Sequence, residues 1–466
     1  MSNDVKLEQS VQKEVERFIG EWMTEMNVPS SSVSIVTDGK RSYSKGFGSR
    51  NLEENAPATS ETLYGIGSCS KSFTALSIMQ LVETGELTLD DPVDEHLPFD
   101  LGSSDDPITI HHLLNHSSGA PSDGYAHVLI ARMADYQEKG IPMGDYDDLQ
   151  NHINGAADEI CADPGTKFFY YNSGYAMLGQ IVEQVSGKAF HEYVTEHIFE
   201  PLEMERTTYE KQAFKADENA MTAYKMGEDG PSPSAFPFHD LIYAAGGMLS
   251  PVDELANYLE MNLNGGEYDG ETIIDEESLA KMYEGYIETG PGISGISSQQ
   301  YGYGWARTQF FDETLIGHSG SIGVSTAYMG FIPDQEIGVA ITCNASPGHL
   351  MEAVGQGVLA ILFGKDWKSE VPFFAIRYGL EELTGTYRSY RGVNQVSIRN
   401  EGGILRISSE VGYPPWPDIP VIPKNIEAGE FYTMTETGEK QPIQFDIDDN
   451  GNIDLYIDRW RLHKQS

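Results

Sequence analysis

The chain has 466 residues, 39% hydrophobic and 11% aromatic, which is too much for one small core and excludes a disordered polymer. Asp and Glu number 72 against 30 Lys and Arg, a formal net charge of −42, so nucleic acid and anionic membrane surfaces are excluded as partners. No apolar run is long enough for a transmembrane helix, and three cysteines (Cys69, Cys161, Cys343) make neither a disulfide framework nor a zinc spacing.

The first segment, MSNDVKLEQSVQKEVERFIGEWM, is charged and carries no signal-peptide core, which predicts a cytoplasmic protein. Val11, Val15, Phe18, Ile19, Trp22, Met23 and Met26 fall on one stripe of an amphipathic helix. Ser32 to Phe47 alternates as a hairpin that turns at Asp38-Gly39. An apolar helix follows Ser68, and ITIHHLLNHSSG forms a short helix ended by Ser-Ser-Gly. Further helices start near Ser173, with Gly187 as the stop, and at Ser250-Pro251. Thr314–His318, Thr326–Ile332 and Gly338–Cys343 read as strands, and 350–363 as a last amphipathic helix. Strands at both ends with helices between predict an α/β or α+β layered domain over 1–365.

Composition changes near Asp366. Residues 366–382 read as a linker, and 383–466 as a separate all-β domain, a small barrel or sandwich, with hairpin turns at Gly402-Gly403 and Asn450-Gly451. Asp446, Asp448 and Asn450 match the start of a calcium loop, but its twelfth position is Ile457, so a plain hairpin is the better reading. His112 and His116 have helical i,i+4 spacing without an HExxH motif. Neither pattern implies a metal, and nothing in the sequence calls for a cofactor.

Ser-x-x-Lys occurs four times, at Ser10/Lys13, Ser42/Lys45, Ser68/Lys71 and Ser278/Lys281, so spacing alone selects none of them. Only Ser68/Lys71 opens a helix that is apolar on most sides, Phe73 to Val82. Lys71, one turn after Ser68, would lie at the wall of a core, where desolvation lowers an amine's pKa enough for it to accept a proton. The helix N-terminus would favour an oxyanion beside Ser68. Cys69 reads as packing. Two more motifs can complete an acyl-transfer site: Tyr170-Tyr171-Asn172, the only Tyr-x-Asn, and His318-Ser319-Gly320, the only His-x-Gly.

In this order the motifs resemble the serine β-lactamase and penicillin-binding-protein-like hydrolases, nearest to class C β-lactamases, their esterase relatives and D-amino-acid-directed peptidases. LYGIGSCSKSFTALSIMQLVETGELTLDDPV, PGTKFFYYNSGYAMLGQIVEQVSG, AAGGMLSPVDELANYL and GHSGSIGVSTAYMGFIPDQEIGVAITCN carry the resemblance. It implies an antiparallel sheet sandwiched with helices plus a helical subdomain. It also implies Ser68 as nucleophile, Lys71 as proton acceptor or relay, Tyr170 as partner base and later acid, and Asn172 orienting Lys71 and holding the substrate amide. His318 and Gly320 would support the substrate, and the backbone N–H groups of Ser68 and Ser321 would form the oxyanion hole. His318 stands where β-lactamases usually have lysine, so a permanent charge for a substrate carboxylate is missing. The tail resembles the lipocalin-like domain of an archaeal self-compartmentalising peptidase, which points toward a peptidase and a homo-oligomer. The expected activity is hydrolysis of small peptides or D-amino-acid amides through an acyl-enzyme. A carboxylesterase is the alternative, then a β-lactamase, and outside enzymes an acyl-binding sensor or structural protein.

Acidity spread along the whole chain is expected to be an adaptation to high salt, because counterions screen the self-repulsion. Activity and stability should then rise between about 0.1 and 1 M salt, a range over which screening changes strongly. A flat or falling profile in parallel rate and unfolding measurements would mark an ordinary acidic protein.

Overall fold

Asp38 and Gly39, with φ of 52° and 65°, turn the chain between β1 (Ser30–Thr37) and β2 (Lys40–Asn51), the paired left-handed residues a two-residue hairpin requires. The computed structural model describes residues 6–99, 102–103, 106–134, 140–291, 298–347, 351–411, 417–426 and 428–465. It divides into two compact units, Met1–Phe363 and Gly364–Ser466.

In the first unit the hairpin extends to β3 (Ala56–Pro57) and joins strands from the far end of the unit. These are β4 (Ile287–Pro291), β5 (Ser298–Tyr301), β6 (Ala306–Phe310), β7 (Glu313–Ser321), β8 (Thr326–Ile332) and β9 (Ile337–Cys343). The order is β4-β5-β6-β7-β8-β9-β1-β2-β3, and the β1–β9 register runs Ser31↔Cys343 to Val36↔Gly338. Five helices matter to the site and its support: α1 (Gln9–Met26), α2 (Ser70–Glu83), α3 (Asn172–Ser186), α4 (Val252–Leu263) and α5 (Met351–Leu362). Leu350, expected at the head of the last helix, lies outside the described residues, as does Ser466.

Successive residues of a strand point to opposite faces, so each sheet face meets its own helices. On β8, Tyr328 turns to α5, where Gly355 lies against its ring; Phe331 turns to the face where Gly338 of β9 meets Leu259 and Leu263 of α4. The expected stripe of α1 buries Val15, Phe18, Ile19, Trp22 and Met23, and Gly357 of α5 packs on the Phe18 ring. Helix α2 is buried on nearly every side. Its polar side chains turn back on backbone carbonyls: Ser77 Oγ donates to Phe73 O at 2.9 Å and Thr74 Oγ1 to Ala244 O at 2.8 Å.

In the second unit, eight strands from Gly385–Arg388 to Trp460–Lys464 close into a barrel. Its alternation is plain in Ile453, Leu455 and Ile457, which point inward to Tyr387, Phe431 and Phe445. Residues 366–382, expected as a linker, instead hold two helices, Trp367–Glu370 and Pro372–Glu382. Pro372 sits at the first helical position, where its missing N–H costs nothing, and Trp367, Phe374 and Leu380 are buried. The Asp446-to-Asn450 pattern is a hairpin: Asp448 Oδ1 accepts the N–H groups of Asn450 and Asn452, both at 2.9 Å.

A β-carbon on Gly355 would stand 2.1 Å from Tyr328 Cδ1. Gly355→Ala should therefore destabilise the first unit by about 1–3 kcal/mol through overpacking, read as a lower urea midpoint. An unchanged midpoint would contradict this packing.

Candidate active site

Ser68 sits in a 3₁₀ turn, Gly67–Cys69, just ahead of α2 rather than on its first turn as the spacing predicts. The tighter turn follows from Gly67, which takes φ 53°, a conformation that favours glycine. Ser70 Oγ then donates to Gly67 O at 2.7 Å and accepts Met248 N–H at 3.2 Å. Because a 3₁₀ turn stacks i over i+3, Ser68 and Lys71 still share a side.

Lys71 is fully buried. Its Nζ lies 3.1 Å from Ser68 Oγ, 2.8 Å from Asn172 Oδ1 and 2.6 Å from Ala245 O. None of these partners is a carboxylate. Burial disfavours the ammonium and lowers the pKa of Lys71 to about 7. Asn172 is the first residue of α3, with Tyr171 in extended backbone ahead of it, and Gly187 ends that helix in the left-handed region. The helix start thus fixes where the amide oxygen meets the amine.

Tyr170 has its ring centroid 4.9 Å from Lys71 Nζ. Its hydroxyl is buried and has no hydrogen-bond partner among the described residues. Burial raises its pKa, and the neighbouring Ser68 hydroxyl offsets only part of the rise. Cys69 is buried and points away, donating to His318 O at 3.2 Å. Burial pushes its thiol up to about 12, so it stays protonated and inert.

His318 is held neutral. Its Nδ1 is 2.6 Å from Ser319 O, and its Nε2 is 2.9 Å from Tyr301 Oη. A carbonyl only accepts, so Nδ1 carries the proton and Nε2 accepts from Tyr301. Burial, with Lys71 adding to it, lowers the imidazole pKa to about 3. The permanent charge that the sequence lacks at this position is therefore not replaced even by a partial one.

Gly320 closes the site. A β-carbon there would stand 2.0 Å from Ile66 O and 2.7 Å from Ser68 N, and one on Gly67 would stand 2.4 Å from Ser321 N. Two glycines thus let the end of β7 touch the Ser68 turn, backbone to backbone. Ser68, Tyr170, Asn172, His318, Gly320 and Ser321 line one cavity of about 430 Å³.

His112 and His116 do not share a helix face. The helix is only Ile110–Leu114. His112 Nδ1 accepts Thr109 N–H at 3.1 Å, while His116 leaves the helix with φ 62°. His116 accepts Tyr171 N–H on Nδ1 at 3.0 Å, and its ring lies 4.3 Å from that of Tyr170. Tyr301, His116 and the Ala245 carbonyl are contributors that sequence reasoning missed. Tyr301 lies in no recognised motif, Ala245 lies in the AAGGMLSPVDELANYL block but acts through its backbone carbonyl, which no side-chain motif marks, and only pairing across the fold brings any of the three to the site.

A family model described as beta-lactamase matches residues 15–360, and a second, described as the Pab87 octamerisation domain, matches 368–463. Protein flp of Staphylococcus aureus is 25% identical over 352 residues, 75% of this chain, which spans 66% of the length of that relative. Penicillin-binding protein 4 of Amycolatopsis lactamdurans is 26% identical over 335 residues, 69% of this chain and 82% of that one. A solved structure, the octameric penicillin-binding protein homologue from Pyrococcus abyssi, is 38% identical, with a TM-score of 0.87 over 97% of this chain and 99% of that one. With the sheet, the helices and the Ser68 cavity they enclose, the chain belongs to the beta-lactamase family of penicillin-binding-protein-like serine hydrolases.

Proposed function

We propose that the protein is a serine hydrolase that forms an acyl-enzyme on Ser68 and acts on small peptides or amino-acid amides, including D-configured ones. One observation carries this reading: the three partners of Lys71 Nζ suit a neutral amine. Two N–H bonds go to Asn172 Oδ1 and Ala245 O, which can only accept, and the lone pair is left for the Ser68 hydroxyl. Lys71 Nζ takes the Ser68 proton as Oγ attacks the substrate carbonyl carbon. The backbone N–H groups of Ser68 and Ser321 receive the oxyanion. Tyr170 stays protonated, so it serves as the acid: its proton goes to the departing amine, and Lys71 returns one to it. Water then attacks the ester carbon by the same route in reverse. An amine is a poor leaving group that needs that proton, which supports an amidase over an esterase. The neutral His318 supplies no cation for the carboxylate of a β-lactam.

The match of residues 368–463 to an octamerisation domain and the octameric relative support a homo-oligomer. Tyr390, Val393, Ile404, Met434 and Ile447 are large apolar side chains exposed on the second unit and open to a partner. Light scattering on the full chain should give a mass near eight times that of one copy; a monomer would refute the assembly.

A fluorophosphonate should label Ser68, and label at Cys69 would overturn the assignment. Lys71→Ala and Tyr170→Phe should each slow turnover by about 10²-fold or more, with losses far from additive because both serve one proton path. Since Lys71 must be neutral to act, kcat/KM should fall about tenfold per pH unit below about 7. Full activity at pH 5 would exclude Lys71 as the base. A burst of one product equivalent with no turnover would make the protein an acyl-binding sensor.

A further inference from the structure

A second cavity, of about 290 Å³, shares Tyr170, His318 and Ser319 with the one that holds Ser68. Its other walls are mainly aromatic and apolar, among them Phe168, Tyr301, Leu315 and Tyr328. Thr289, Gln299 and Thr308 add neutral polar groups, and the acidic residue of the lining is Glu352, on the first turn of α5. Its Oε1 accepts from two neutral amides, Gln299 Nε2 at 3.1 Å and Gln356 Nε2 at 3.3 Å. Among the described residues, no lysine, arginine or histidine pairs with Glu352, and Oε2 accepts no hydrogen bond. Burial raises its pKa, with Gln299 offsetting a part.

A carboxylate held largely out of water, with no cation beside it among the described residues, is costly to keep. Among the described residues nothing repays that cost, because both donors are neutral. That oxygen, Oε2, belongs to a residue lining a cavity that shares Tyr170, His318 and Ser319 with the nucleophile's, and a cation arriving there would be its partner. Facing aromatic rings also tolerate a cation. The neighbouring His318 is uncharged, so it neither competes for Glu352 nor favours an anion. We propose that Glu352 binds the free α-ammonium group of the substrate, so that the preferred substrates are peptides or amides with an unblocked amino terminus. This rests on the acyl-enzyme reading of Ser68. An N-acylated substrate would leave the carboxylate unpaired, and sites built around a buried polar partner reject analogues that lack it.

The test compares alanine p-nitroanilides of both configurations with their N-acetyl derivatives, and uses p-nitrophenyl acetate to report the acyl site itself. The wild type should favour the free amine by about tenfold or more in kcat/KM. In Glu352→Gln that ratio should fall toward one, with the rise in KM for the amine carrying the change. A loss shared equally by amine and N-acetyl substrates would mark Glu352 as structural and overturn the proposal. So would equal rates for the two in the wild type. Should the variant not fold, the wild type still decides: alaninamide should inhibit acetate hydrolysis competitively where propionamide does not, and equal inhibition refutes the site. Acetate hydrolysis at Ser68 without any amine preference removes only the role of Glu352. No acetate hydrolysis and no label on Ser68 removes the acyl-enzyme reading and this proposal with it.

Discussion

An amine taken out of water without a counter-charge is the constraint around which the first unit is built. Lys71 is buried in a helix with almost no wet face. A carboxylate partner would have kept it an ammonium; two neutral acceptors satisfy its N–H groups without stabilising the charge. That choice requires three separate chain segments to converge on one nitrogen. The start of α3 brings Asn172, the segment before β-paired Leu249 brings the Ala245 carbonyl, and the 3₁₀ turn brings Ser68. The close approach of Gly67 and Gly320 then ties the turn to the sheet. Loosening any of these would admit water and return the amine to its ordinary range.

The same logic of withheld charge extends to the walls. Tyr301 spends its hydroxyl proton on His318, and Ser319 fixes the opposite nitrogen. The imidazole is therefore a rigid neutral surface, not a titrating one. Around it lie aromatic rings and one carboxylate. In a chain of formal charge −42, a cavity lined among the described residues by an uncharged imidazole and a carboxylate disfavours anions.

Much of this was legible in the sequence, for physical reasons. The Asp38-Gly39 hairpin, the Gly187 stop and the alternating strands of the barrel are local signals, set by backbone freedom and by period. The order of the Ser68, Tyr170 and His318 motifs identified the family through its conserved arrangement of chemistry, not through any local geometry. What could not be read depends on distant pairing. Residues 366–382 looked like a linker because Trp, Pro, Phe and Tyr crowd a short stretch without a clear helical period, yet Trp367, Phe374 and Leu380 find a core to enter. Tyr301 ends a short strand, Ser298–Tyr301, with no motif, and its role exists only because β7 lies two strands away. His116 was read at helical spacing from His112, but the helix ends before it, and its function as a prop for Tyr170 is set by the turn that follows.

The β1–β9 pairing has a consequence for the order in which the molecule becomes active. Ser31 Oγ donates to Thr342 O across 311 positions of sequence, so the centre of the sheet cannot close until nearly the whole first unit has left the ribosome. Contacts of such sequence separation are slow to form because their loop-closure entropy comes before any gain. The site inherits that delay, since His318, Gly320 and Ser321 lie on β7, which reaches β1 only through β8 and β9. During synthesis Ser68 and Lys71 exist as an ordinary alcohol beside a solvated ammonium, without reactivity. The arrangement around Lys71 is complete only when the two ends of the unit meet.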